Sequence, residues 1–111
     1  MRRILLAIFS LVLGAMLYVT VTASLAEGVF RAGARLWPDL WFRATLADAY
    51  CGFLAVFVWI AWRERSPAVR IGWFVLLMTL GNIAIAAYFL IALARLAPAA
   101  GIDGLYQRKP A

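Results

Sequence analysis

The sequence has no histidine, a single cysteine, a single lysine and few acids, and only 14% of its 111 residues are charged. Each scarcity removes a class of chemistry. Without histidine the chain cannot supply a Ser-His-Asp triad, a His-bound zinc or a His-ligated haem by itself. Cys51 alone forms neither a disulfide nor a C-x-x-C redox pair, and its apolar neighbours predict a buried, inert thiol. No cofactor and no metal site is expected.

What is abundant is apolar surface: 67% of the residues, against roughly 45–50% in a soluble domain. An ordinary soluble domain, a disordered tail and a coiled coil are all excluded by that balance. The formal charge is +6, but the basic residues sit beside apolar runs, where they act as anchors and topology signals rather than as a nucleic-acid footprint. The composition therefore predicts an all-α integral membrane bundle that meets lipid and binds no nucleic acid.

The chain is expected to be one membrane domain, 1–111, with three transmembrane helices near 4–26, 40–62 and 69–95. Residues 4–26 carry no charge and cover about 35 Å as a helix, enough for a hydrocarbon core of about 30 Å. A basic start and an apolar run also imitate a signal peptide; the length of the run favours a retained anchor. Residues 27–39 mix arginines with Phe30 and Trp37 and contain Gly28, Gly33 and Pro38, so they read as an interfacial connection, with Asp39 as a helix cap. In the second span, Trp41 lies at one end and Trp59 and Trp62 at the other. Trp41 to Trp62 is about 31 Å of helix, the spacing of two aromatic belts. Ser66 and Pro67 then cap and start a third helix, with Trp73 as a further interface anchor. Residues 97–111 read as an exposed tail. With three spans the basic residues divide almost evenly between the two sides, and the first helix tips the reading towards a cytoplasmic N-terminus.

Asp48 is the ionisable group at membrane depth, where insertion costs about 2.5–3.5 kcal/mol. Counting along antiparallel spans puts Thr20, Asn82 and Tyr88 near its level, so the four are expected to form one polar layer. Beside Asp48, the small residues Ala47, Cys51, Gly52 and Ala55 offer a face for close helix packing, against the other spans or another copy. Gly81 does the same on the third span.

The stretch Trp41-Phe42-Arg43-Ala44-Thr45-Leu46-Ala47-Asp48-Ala49-Tyr50-Cys51-Gly52-Phe53, with Trp62-Arg63-Glu64, Gly81-Asn82-Ile83 and Tyr88, resembles a family of small bacterial three-pass membrane proteins of unknown function. The resemblance implies a bacterial inner-membrane location. It marks Asp48, Tyr50, Glu64, Asn82 and Tyr88 as motif positions and implies no reaction.

Three functions compete. The favoured one is a non-enzymatic accessory, assembly or interaction subunit, associating with itself or with other membrane-protein subunits. A small oligomeric transport, channel or ligand-binding unit using Asp48 comes second. An enzyme acting on lipid or quinone comes last, having only carboxylates and tyrosines to work with.

Overall fold

In the computed structural model, residues 1–96 and 101–109 are described, apart from the side chains of Ile102 and Tyr106. Among them the chain is all-α: α1 Arg2–Ala26, α2 Val29–Leu36, α3 Leu40–Arg63, α4 Pro67–Leu80, α5 Asn82–Ala94, and a 3-10 helix over Ile102–Tyr106. The local sequence explains the starts. Asp39 accepts a hydrogen bond from the Phe42 amide at 3.0 Å and caps α3. Ser66 accepts from the Val69 amide, and Pro67 takes the first position of α4, where its missing N–H costs nothing.

The continuous helix expected over 69–95 is two helices. Gly81 interrupts it with φ 57° and ψ −121°, a conformation open to glycine and unfavourable for residues with a Cβ. The ring of Phe53 fills the place where that Cβ would stand, at 2.6 Å. The chain doubles back here, so Trp73 of α4 meets Tyr88 of α5 with ring centroids 4.9 Å apart, where a straight helix would separate them by about 22 Å. At about 21 and 20 Å, α4 and α5 are each too short to cross a 30 Å core.

The long helices flank this hairpin. α5 lies at the centre, packed on α1, α4 and α3, and it supplies most of the buried residues: Ala84, Ala86, Tyr88, Ala92 and Leu93. Its alanines let neighbouring backbones approach closely. Phe9 of α1, Phe89 of α5 and Trp59 of α3 stack in sequence, with centroids 4.3 and 5.0 Å apart, and tie the three helices together. α1 and α3 are the two helices long and apolar enough to cross a membrane, and α1 buries none of its residues within the chain. α2 lies beyond their far ends, where Arg35 pairs with Glu27 at 3.0 Å.

The expected exposed tail is partly docked: Leu105 is buried in the core and Lys109 is bound to α3, while Pro98 and its neighbours lie outside the described residues. The start of α1, the turn between α3 and α4, the end of α5 and Lys109 therefore gather at one end of the bundle, which we call the polar end.

Candidate functional site

The polar end is built on the last turn of α3. Arg63 and Glu64, 7% and 4% exposed, are the buried charged residues among the described residues. Burying two ions costs several kcal/mol each unless they are paired and hydrogen-bonded. Tyr88 provides the link. Arg63 Nη1 donates to the Tyr88 hydroxyl at 3.0 Å, and that hydroxyl donates to Glu64 Oε1 at 2.9 Å. The Lys109 ammonium pairs with the same carboxylate oxygen. The row Arg63, Tyr88, Glu64, Lys109 thus sets one hydroxyl between the guanidinium and the carboxylate and carries one more cation than it has anions.

Aromatic rings hold Tyr88 in place. Trp73 and Trp59 both meet it edge to face, with centroids 4.9 and 5.5 Å away, and the Arg63 guanidinium carbon lies 5.8 Å from its ring centroid. Main-chain carbonyls left over at the end of α3 are also taken up. Arg70 Nε donates to the Glu64 carbonyl at 2.9 Å, and the Lys109 amide donates to that of Arg63 at 3.0 Å. Arg65 Nε donates in turn to the Lys109 carbonyl at 2.7 Å, fastening the tail down.

Beside this cluster is a cavity of about 250 Å³. Arg63, Arg95 and Lys109 bring positive charge to its lining and Glu64 the negative charge, while Val69, Trp73 and Ile91 give it an apolar side. Buried Arg63 Nε and Trp59 Nε1 have no hydrogen-bond partner among the described residues.

Of the residues singled out in the sequence, the structure brings Glu64 and Tyr88 together and leaves the expected polar layer unassembled. Asp48, Asn82 and Thr20 are exposed, and Tyr88 bonds to Arg63 and Glu64 instead. The reason is the reversal at Gly81, which carries Tyr88 away from the level of Asp48 and back to the end of α3. Tyr50 donates to the Met78 carbonyl at 2.8 Å and pins α3 to α4. Gly81 is buried as a packing position, whereas Ala47, Cys51, Gly52 and Ala55 lie on an exposed face of α3. Cys51 is thus exposed and not buried, and a Cβ added to Gly52 would meet nothing within 4 Å. Trp41 and Trp62 are exposed at opposite ends of α3, and Trp59 and Trp73 pack edge to face on Tyr88.

The sequence reading missed Arg63 and Lys109. Arg63 enters the sequence analysis only within the motif Trp62-Arg63-Glu64, and its adjacency to Glu64 at a helix end is the available signal; Lys109 offers none.

Among the described residues these features define an all-α chain with two membrane-length helices flanking a short helical hairpin, whose returning arm brings a tyrosine hydroxyl between a buried arginine and a buried glutamate. The chain belongs to the family described as Protein of unknown function (DUF1475), whose model matches residues 1–107. No curated protein matches it. No solved structure matches it either.

Proposed function

We propose that the chain is a non-enzymatic integral membrane protein, of a bacterial inner membrane, that assembles with itself or with another membrane subunit through the face of α3 bearing Asp48. α1 and α3 cross the bilayer, and the α4–α5 hairpin enters from the polar end and returns to it. α2, with Phe30 and Trp37 exposed, lies at the opposite interface.

The observation that carries this reading is Asp48. It stands about 12 Å from the start of α3 and about 22 Å from its end, on an exposed face, with no partner among the described residues. A carboxylate facing lipid there is penalised by kilocalories, so a protein surface that hydrogen-bonds it gains by covering it. Cys51, Gly52 and Ala55 share its face at helical spacing, and their small size lets a partner helix approach.

The reversal at Gly81 also supports an orientation. Arg95, Arg108 and Lys109 join Arg2, Arg3, Arg63, Arg65 and Arg70 at the polar end, against Arg31, Arg35 and Arg43 at the other. The positive-inside rule then gives a cytoplasmic polar end, with Arg3 and Arg108 on that side.

The test is copurification of two differently tagged copies from native membranes. Recovery of both tags, or of one tag with a stoichiometric membrane partner, supports the reading, and Asp48→Leu and Gly52→Leu should each abolish it while Asp48→Asn retains it. Recovery of a lone single-tag chain contradicts assembly. Normal assembly of Asp48→Asn with loss of an ion or ligand flux would instead make Asp48 part of a transport path between copies.

A further inference from the structure

The cavity at the polar end holds more positive charge than its own carboxylate neutralises. Among the described residues, Arg63, Arg95 and Lys109 line it against Glu64 alone, and Glu64 Oε1 already receives the Tyr88 hydroxyl and the Lys109 ammonium. Donors remain unspent. An ammonium carries three N–H groups and a guanidinium five. Arg63 gives Nη1 to Tyr88 and its Nε is fully buried, so it adds charge to the cavity rather than a contact. The exposed Arg95 guanidinium has no partner among the described residues. A hollow with uncompensated cations and free planar donors suits a tetrahedral oxyanion, since guanidinium forks match phosphate oxygens in pairs. The apolar side, Val69 and Ile91, suits a chain attached to that anion.

We propose that this cavity binds a phosphate group, held by Arg95 and Lys109 with Arg63 behind them. Its source is either the headgroup of an anionic phospholipid, with an acyl chain along Val69 and Ile91, or free phosphate. The lipid source rests on the membrane reading above; the phosphate site itself does not.

The experiment uses the full chain purified in detergent, with native mass spectrometry and thermal unfolding in the presence of phosphatidylglycerol, phosphatidylcholine or inorganic phosphate. Phosphatidylglycerol should bind about tenfold more tightly than phosphatidylcholine, and Arg95→Gln together with Lys109→Gln should remove that preference. Arg31→Gln, at the opposite end, should leave it unchanged. Arg95→Gln alone removes no hydrogen bond or ion pair among the described residues, so it provides a folded variant with a weakened preference if the double substitution unfolds. Competition by inorganic phosphate assigns the site to the free anion, and the absence of competition assigns it to the lipid. Equal binding of the two lipids without an effect of phosphate, or binding that survives the double substitution, overturns the proposal. A chain that carbonate washing strips from membranes but that still binds inorganic phosphate refutes the membrane reading and leaves the site standing.

Discussion

Trp73 and Tyr88 meet edge to face, at 89° and 4.9 Å, across the two arms of a helical hairpin. That contact sets the register of α4 against α5, and the register decides where the Tyr88 hydroxyl arrives. It arrives between Arg63 and Glu64, so one aromatic pair couples the reversal at Gly81 to the buried charges at the end of α3. The tail joins the same assembly through Lys109. Four separate segments thus share one polar centre, which is the most highly determined part of an otherwise outward-facing bundle.

On the proposed membrane reading, the hairpin predicts that Arg3 and Arg108 lie on one side of the bilayer. In a Cys51→Ala background, cysteines introduced one at a time at Arg3 and Arg108 should react with an impermeant thiol reagent from the same side, and one introduced at Arg31 from the other. Three full crossings would put Arg3 and Arg108 on opposite sides.

The buried cluster predicts an order of stabilities in detergent. Glu64→Leu leaves Arg63 and Lys109 without their carboxylate and should cost about 3–5 kcal/mol. Tyr88→Phe removes the bridging hydroxyl while Lys109 still holds Glu64, and should cost about 1–3 kcal/mol. Asp48→Leu replaces an exposed side chain with no hydrogen bond among the described residues and should leave the isolated chain's unfolding temperature within a degree or two of the parent. Thermal unfolding of the four proteins checks the order; an Asp48→Leu loss as large as that of Glu64→Leu would refute it.

Span lengths and caps were legible because they depend on local sequence. Asp39 and Ser66 cap where their spacing to the apolar runs said they would, and the charge-free run up to Ala26 is a single helix. The reversal at Gly81 was not legible, because a glycine inside an apolar run has the same periodicity whether the helix continues or turns. What decides is tertiary: the Phe53 ring against Gly81, and the Trp73–Tyr88 and Trp59–Tyr88 contacts. The placements that rested on a straight third span change with it: Tyr88 lies at the end of α3, and Arg95 shares a cavity with Arg63 and Lys109. Glu64 was marked only through a resemblance, and Lys109 reaches it from a distant part of the chain that carries no periodic pattern.

The aromatic stack predicts how α1 is attached. α1 packs chiefly on α5, and Phe89 lies between Phe9 and Trp59. Phe89→Ala should therefore cost about 3–5 kcal/mol. It should also lower disulfide crosslinking between cysteines placed at Leu5 and Leu93 before α3 and α4 separate. Unchanged crosslinking would show that α1 is held elsewhere.

The last prediction concerns Gly81, whose φ of 57° is the only positive one among the described residues. An alanine there faces two penalties: a backbone region that L-residues avoid, and overlap of its Cβ with Phe53. Together these should weaken the hairpin by about 1–3 kcal/mol. The same residue has an alternative without strain, since in helical conformation it would join α4 and α5 into one helix of about 42 Å, long enough to cross the bilayer. Gly81→Ala, and more strongly Gly81→Leu, should therefore shift molecules from hairpin to continuous span. That shift carries Tyr88 and Lys109 away from Glu64 and moves the segment after α5 to the opposite side. In the thiol assay, a cysteine at Arg108 should then become reactive from the side of Arg31 in a fraction of molecules that rises from Gly81 to Ala to Leu. Adding Phe53→Ala should recover part of the stability lost in Gly81→Ala, because it relieves the overlap but not the dihedral strain. Labelling and unfolding temperature both equal to those of the parent would show that the positive φ does not hold the hairpin closed.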